Sequence, residues 1–481
     1  MVDLLLDGGV LLTQDDERTV FDDGAVAIDD GRIVAVGPRS DVADAHDPRQ
    51  TIDTTGHVVC PGFVDAHLHT ADVLLRGRSG HDRALFDWLY NVKSPGLAAM
   101  DANDHALATR LVCAEATRAG ITTLVDNDLE GGWYDGKPEA KLDAYAESGL
   151  RVAYARGFLD EPPDAGFEAF VDDVTAREPG VEHVPLEELV EETAHAIGHA
   201  EDLIETHHGR ANGRLSVWVA PAVVEGVSPE GLRAARQLAV DHGVSTTTHV
   251  AETAQQAGDT LSAVEYLRNV GYLGPETLLG HCVHVDDRDA RLLAGSGTRV
   301  AHNLLTNLRL GAGLAPVETL RARGVPVGLG TDNPSLSDTV DVLGDARFAA
   351  TVHDGAHEDP GRVRAQAALD MATREGARAV GMADVGSLEA GTPADVVAVD
   401  CDRPGLVPRQ DPVTTLVYGA SGRDVTTVVC DGEVLLRDAG RSRVERRRPD
   451  LLDRARAAAT RIADTAGLPA ASDAGEGRGH R

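Results

Sequence analysis

An apolar segment that ends in two histidines restricts the fold of this chain more than any other part of its sequence. Residues 61–70 read Pro-Gly-Phe-Val-Asp-Ala-His-Leu-His-Thr. Side chains two residues apart in a β-strand lie on the same face, so His67 and His69 can reach one point in space. Two neutral imidazoles directed at one point suit a divalent transition metal. The segment therefore predicts part of a metal site, and a pair of ordinary core or surface histidines is the alternative.

Three further polar groups follow apolar, strand-like runs later in the chain. They are Thr-His-Val-Ala-Glu at 248–252, Gly-His-Cys-Val-His at 280–284 and Gly-Thr-Asp-Asn at 330–333. The central part alternates strand and helix patterns, which is typical of βα units and a parallel sheet. Candidate strands end near His67, Asn127, Phe158, Pro221, Glu252, His284, Asn303 and Asp332. Eight such ends predict an α/β fold, a (β/α)8 barrel whose active site lies at the carboxyl ends of its strands.

Both ends of the chain contain short apolar runs separated by turns. The N-terminal 60 residues hold several, including two on either side of Asp29-Asp30-Gly31, a hairpin signal. A second set includes 395–399, 415–418 and 426–436. Each set is too small for a core, so we expect them to form one small β-sandwich with the barrel inserted. The predicted boundaries are 1–60, 61–385 and 386–440, followed by a tail at 441–481 with a helix at 451–466 and disorder from 470.

Charge and cysteine content exclude several classes of protein. The formal net charge is -33, and lysine occurs only at positions 93, 137 and 141. Such an acidic chain repels nucleic acid and anionic membranes, and it indicates a host adapted to salt, which screens self-repulsion. The five cysteines form no Cys-x-x-Cys pair, which argues against a zinc finger or a disulfide framework. Without a signal-peptide pattern or a long apolar run, the expected location is the cytoplasm.

Four strand-end residues form a metal-ligand set if they all face the mouth of the barrel. Three imidazoles and a carboxylate, from His67, His69, His249 and Asp332, suit zinc or iron(II) with one position left for water. The metal would lower the pKa of that water to about 7 and make hydroxide available at neutral pH. Glu252, three residues after His249, is the candidate proton shuttle. Attack on an aromatic ring carbon needs such an acid to protonate the adjacent ring nitrogen.

The order of these motifs resembles the amidohydrolase superfamily, from the N-terminal strands to about Arg437. Residues 89–127, with Tyr-Asn-Val and Cys-Ala-Glu-Ala-Thr-Arg-Ala-Gly-Ile-Thr-Thr, are most similar to the s-triazine hydrolase branch, which includes atrazine chlorohydrolase and melamine deaminase. The resemblance implies a hydrolase, with His281 acting in catalysis over the water and Asp332 doubling as its base. Relatives with two metals carry a lysine at the end of strand four. Residues 215–221 contain none, so we expect one divalent ion per chain.

The resemblance also implies a flat heterocyclic substrate. Trp88 and Asn303 match pocket-lining positions, and a Trp ring suits stacking on a heteroaromatic ring. Leu85 is like the deaminating members of the branch and Asn333 is like the dechlorinating ones. His302 could contact substrate or fix its loop. The expected reaction displaces ammonia, an alkylamine or chloride from a ring carbon of a nitrogen heterocycle.

Other functions remain open at this stage. The chain is also similar to the methylthioadenosine/S-adenosylhomocysteine deaminases, but these carry a ribose-binding glutamate where this chain has Leu97. A carbon-nitrogen hydrolase of non-aromatic amides would have less use for Glu252. A non-catalytic scaffold on the same fold would be expected to lose metal ligands, and all four are present. Relatives are commonly homo-oligomers, which is also expected here.

Overall fold

An eight-stranded parallel sheet forms the centre of the molecule, in a computed structural model that describes residues 1–78, 83–128, 136–162, 165–258 and 261–469. Seven strands precede it in the chain: β1 (Val2–Asp7), β2 (Val10–Leu12), β3 (Val20–Phe21), β4 (Gly24–Asp29), β5 (Arg32–Pro38), β6 (Pro48–Asp53) and β7 (His57–Pro61). The central strands are β8 (Phe63–Leu68), β9 (Ile121–Asp128), β10 (Arg151–Phe158), β11 (Leu215–Pro221), β12 (Thr246–Val250), β13 (Thr277–His281), β14 (Arg299–His302) and β15 (Val327–Leu329). They pair in sequence order, which confirms the predicted barrel.

The barrel closes between its first strand and the segment after its last. The backbone N–H of Asp332 donates to the carbonyl of His67 at 2.8 Å, and that of His69 donates to the carbonyl of Asp332 at 2.9 Å. These two hydrogen bonds continue the sheet beyond β15. The closure places residues from opposite ends of the barrel sequence next to each other.

Helices connect and surround the strands of the barrel. A short helix, α1 (Arg39–Ala43), precedes them, and the others are α2 (Leu85–Trp88), α3 (Ser94–Ala98), α4 (Ala102–Arg118), α5 (Lys137–Ser148), α6 (Ala165–Thr175), α7 (Thr193–His207), α8 (Pro229–His242), α9 (Ala263–Val270), α10 (Asp287–Ser296), α11 (Leu304–Arg309), α12 (Val317–Ala322), α13 (Val342–His357), α14 (Ala365–Ala372) and α15 (Arg374–Ala379). The ends of α8 follow from local sequence. Ser228 accepts a hydrogen bond from the N–H of Gly231, and Gly243 ends the helix at a φ of 65°.

The chain ends contribute two smaller sheets. The C-terminal strands are β16 (Val396–Asp400), β17 (Val425–Cys430) and β18 (Glu433–Leu436), followed by α17 (Arg443–Arg447) and α18 (Leu451–Thr465), with α16 (Pro412–Thr414) between β16 and β17. One sheet has the order β5-β4-β1-β6, and the other has the order β18-β17-β16-β7-β2-β3. The second sheet therefore joins strands from both ends of the chain, as the sequence predicted. The domain boundaries themselves stay predictions.

Some predicted elements need correction. Residues 415–418 were expected to be a strand, but they lie in a helical turn at Thr415–Gly419 that continues α16. Pro412 starts that helix and Asp411 caps it by accepting from the N–H of Thr414, so local capping overrides the β-branched composition. The sixth and eighth barrel strands end at His281 and Leu329 rather than near His284 and Asp332. The predicted disorder at 470–481 lies outside the described residues.

Across the described parts of the chain, no helix combines the length and the apolar character needed to cross a membrane.

Candidate active site

The closure of the barrel brings four predicted metal ligands together at one mouth. His67 and His69 lie on β8 and its end, His249 lies on β12, and Asp332 follows β15. The Nε2 atoms of His67 and His69 lie 3.6 and 3.4 Å from Oδ1 of Asp332. The Nε2 atom of His249 lies 3.3 Å from that of His69. The ligand atoms of His67, His69 and His249 lie within 4.8 Å of one another, as do those of His67, His281 and Asp332, so the two groups share His67.

Three residues at or just after the strand ends have left-handed backbone conformations. Ala251, His281 and Asp332 adopt positive φ angles of 46°, 67° and 60°. Left-handed backbone is costly for residues other than glycine, and it persists where surrounding structure holds it. Gly330 allows a close approach, because a Cβ there would lie 2.8 Å from Cβ of His67.

The imidazoles are neutral and oriented. Burial holds the pKa of His67 and of His69 well below the usual range, and lowers that of His249 to about 3. Nδ1 of His69 donates to the carbonyl of Asn127 at 2.5 Å, and Nδ1 of His249 donates to the carbonyl of Ala222 at 2.5 Å. Both Nε2 atoms are therefore unprotonated and available as ligands.

His67 supplies the test of whether a metal fits. Both of its ring nitrogens are buried and have no hydrogen-bond partner within the described part of the chain. Leaving a buried polar atom unpaired costs about 1–3 kcal/mol. A cation bound between His67 and its three neighbours removes that cost at one nitrogen, so the residues fit a divalent ion.

Two further predicted residues face the same mouth. Oε1 of Glu252 lies 3.7 Å from Nδ1 of His281. Burial raises the pKa of Glu252 to about 8, against the opposing charge of Lys93. His281 donates through Nδ1 to Oδ1 of Asn307 at 2.9 Å, and its Nε2 accepts from the amide of Asn303 at 3.3 Å. The raised pKa of Glu252 favours its carboxylic acid form near neutral pH.

The carboxyl of Asp332 is also perturbed. Burial raises its pKa to about 7.

Asp65 is a residue near the site that the sequence did not single out. Its Oδ1 accepts from the N–H of Thr331 at 3.0 Å, and its Oδ2 accepts from the hydroxyl of Thr331 at 2.5 Å. Asp65 thereby ties β8 to the loop that carries Asp332. The position of Asp65, two residues before His67 and on the same face of the strand, was the signal that could have marked it.

The predicted substrate contacts lie in different surroundings. Trp88 and Leu85 are buried, the ring centre of Trp88 lies 5.4 Å from Nζ of Lys93, and Asn303 reaches His281 as described. Asn333 donates to Asp72 and accepts from the N–H of Ser335 at 3.0 Å, so it fixes its own loop. Nε2 of His302 lies 3.3 Å from Nε2 of His353 on α13. Substrate contact by these residues stays a prediction, and for Asn333 and His302 the contacts favour a role in holding the loops.

Charged residues that the sequence left unassigned surround the mouth. All three lysines of the chain are buried. Nζ of Lys93 pairs with Oδ2 of Asp72 at 2.9 Å, and Nζ of Lys141 pairs with Oδ2 of Asp126 at 2.9 Å. The rarity of lysine among so many arginines was the signal that could have marked them.

The sequence of this chain matches the models of two known protein families. The model of the amidohydrolase family matches residues 58–435. The chain belongs to the amidohydrolase family. A second model, an imidazolonepropionase-like composite domain of bacteria, matches residues 24–47. The predicted family and the predicted hydrolase class are confirmed for this amidohydrolase.

Individual relatives cover nearly the whole length of this amidohydrolase. A 5-methylthioadenosine/S-adenosylhomocysteine deaminase of Nitratidesulfovibrio vulgaris (strain DP4) is 34% identical over 95% of this chain and 97% of its own. An adenosine deaminase from Xanthomonas campestris with bound zinc has a TM-score of 0.84, 26% identity, and coverage of 96% and 99% of the two chains. Atrazine chlorohydrolase from Arthrobacter aurescens TC1, complexed with zinc, has a TM-score of 0.83, 27% identity, and coverage of 95% and 100%.

Proposed function

We propose that this amidohydrolase is a metal-dependent aminohydrolase that replaces an amino group on a ring carbon of a nitrogen heterocycle. The observation that carries the proposal is the buried carboxyl of Glu252, 3.7 Å from His281, at the mouth where three imidazoles meet the carboxylate of Asp332. His67, His69, His249 and Asp332 would hold one divalent ion per chain. Zinc is favoured over iron(II), because two similar structures contain zinc. When bound, the ion supplies Lewis acidity toward a water molecule.

The side chains around that ion divide the proton transfers. Glu252 gives its proton to the ring nitrogen next to the attacked carbon, which provides a sink for the developing charge. Asp332 accepts a proton from the attacking water. His281, whose Nδ1–H is held by Asn307, can accept a hydrogen bond at Nε2 from the O–H of the attacking water in place of the Asn303 amide. Asp332 passes the proton taken from the water to the amino group, which leaves as ammonia, while Glu252 takes back a proton from the added hydroxyl, so that a ring carbonyl and N–H remain. Chloride or an alkylamine as the leaving group gives variants of the same displacement.

A second candidate is a nucleoside deaminase of the methylthioadenosine/S-adenosylhomocysteine type. The 34% identity to a deaminase of that name favours it. Leu97, which is buried beside Lys93, argues against it because an apolar side chain cannot hydrogen-bond a ribose. The free base is therefore the preferred substrate form.

The test combines metal analysis with a screen for ammonia release. Purified protein would be offered aminated triazines, pyrimidines and purines, together with the corresponding nucleosides. About one zinc per chain is expected, with ammonia from a free base. Glu252→Gln should bind the same zinc and lose about 100-fold or more in turnover, since it cannot act as an acid. Two metals per chain, or full activity of the Gln variant, would contradict the proposal.

Other expectations from the sequence remain predictions. The cytoplasmic location, the adaptation to salt and the absence of nucleic-acid partners rest on the sequence, and a homo-oligomeric state rests on the resemblance to relatives.

A further inference from the structure

A small cleft lies beside the metal-ligand candidate His69. Asp72, Lys93, Leu97 and Asn127 are among the residues that line it. They come from three separate pieces of the chain. Asp72 lies in the turn after β8, Lys93 ends the helical turn Leu89–Lys93, and Asn127 lies at the end of β9. The cleft is partly open to solvent and its enclosed part has room for about one water-sized group, so it can receive a polar atom at the edge of a ligand ring while the ring itself stays outside.

Two polar atoms in the wall of this cleft have no partner in the parts of the chain that the structure describes. Oδ1 of Asp72 is a buried acceptor, and Nδ2 of Asn127 is a buried donor. Asp72 and Asn127 are 1% and 3% exposed, so bulk water does not satisfy them. Buried polar atoms are nearly always hydrogen-bonded, so this orphaned donor and acceptor in one cleft are open to a ligand that supplies both.

Lys93 adds a positive charge to the same wall. Its Nζ lies 2.9 Å from Oδ2 of Asp72 and 5.4 Å from the centre of the Trp88 ring. Its side chain is 6% exposed. Asn333 also donates to Oδ2 of Asp72, so both donors contact the same oxygen and Oδ1 stays free for a ligand.

We propose that Asp72, Lys93 and Asn127 form a polar subsite for a ring carbonyl and its adjacent N–H, the lactam edge of an oxo-substituted aminoheterocycle. Asp72 Oδ1 accepts from the ring N–H, while Asn127 and Lys93 donate to the carbonyl oxygen. This assignment rests on the proposed function, because it orients the amino-bearing carbon toward the metal ligands. A ribose diol offers related donors and acceptors, but Leu97 and the small size of the cleft favour the ring edge.

The experiment compares substrates that differ only in this edge. Wild-type protein would be given 2-aminopyrimidin-4-one and 2-aminopyrimidine, and kcat/KM would be measured for each. A second readout is the Kd of each compound for the zinc-loaded Glu252→Gln protein, by calorimetry. Lys93→Met should reduce the preference for the lactam by about 10- to 100-fold in both measurements, the size expected for a hydrogen bond to a charged group.

Two further variants keep the result interpretable. Leu97→Met changes the same cleft without removing a polar atom, so its ratio between the two compounds should stay within about threefold of wild type. Asn127→Ala retains the carbonyl that holds His69 and removes only the orphaned amide. It replaces Lys93→Met if the latter loses its zinc or its circular dichroism signal.

The outcomes separate the subsite from the proposed function. Ammonia release with an unchanged lactam ratio in the variants overturns the subsite and leaves the function standing. Tighter binding or faster turnover of 5′-methylthioadenosine than of any oxo-substituted base also overturns it. If no aminated heterocycle is hydrolysed, the proposed function fails. In that case, weaker binding of the lactam by the variants than by wild type still supports the subsite. If wild-type protein does not bind the lactam at all, both the subsite and the proposed function are overturned.

Discussion

Replacing Lys141 by methionine should destabilise the protein through the buried charge cluster behind β9. The ammonium of Lys141 is fully buried and lies 2.9 Å from Oδ2 of Asp126 and 2.5 Å from Oδ1 of Asp128. Methionine has a similar length and no charge, so both carboxylates lose this cation. Removing one partner of a buried ion pair costs about 3–5 kcal/mol. Asp126 keeps hydrogen bonds from Thr70 and Tyr145, which places the expected cost within that range rather than above it.

This loss of unfolding free energy corresponds to a measurable decrease in the melting temperature. A chain of 481 residues has an unfolding entropy of about 1 kcal/mol/K, at about 2.1 cal/mol/K per residue. The variant should therefore melt about 3–5 °C lower by circular dichroism at constant salt.

A compensating variant distinguishes charge from packing in this cluster. Adding Asp126→Asn and Asp128→Asn to Lys141→Met removes the unbalanced charges, and should recover at least part of the lost stability. A single variant that melts within about 1 °C of wild type would refute the reasoning, since a buried cation would then contribute almost nothing.

Three further predictions follow from the site and from the surface charge. The kcat/KM should decline as pH rises through about 8, because burial raises the pKa of Glu252 to about 8 and the proposed acid acts in its protonated form; a profile that stays flat well above that pH contradicts the role. Gly330→Ala should lower zinc per chain, because the added Cβ would lie 2.4 Å from Oδ1 of Asn303 and 2.8 Å from Cβ of His67; elemental analysis that matches wild type would show that the strand ends adjust without cost. The melting temperature should rise with sodium chloride, because a net charge of -33 repels itself and salt screens it; a melting temperature independent of salt argues against adaptation to a saline cell.

The sequence was sufficient for features that depend on neighbouring residues. The alternation of strand and helix patterns located all eight barrel strands, and the His-x-His spacing put two candidate ligands on one face. Capping was harder to weigh, so the segment at 415–418 was assigned to a strand although Asp411 and Pro412 start a helix there. Helix capping and strand preference act within the same few residues here, and the capping residues determine the secondary structure.

Residue type and local periodicity determined the barrel, the candidate ligands His67, His69, His249 and Asp332, and the candidate acid Glu252. Only the tertiary structure decided which distant side chains meet. Asn333 and Asp72 are hydrogen-bonded although 261 residues separate them, and Lys93 faces the cleft while His302 turns toward His353. These contacts depend on how the closed barrel brings its loops to one mouth, and no short-range pattern encodes that path. The perturbed pKa of Glu252 has the same origin, because burial is a property of the assembled fold.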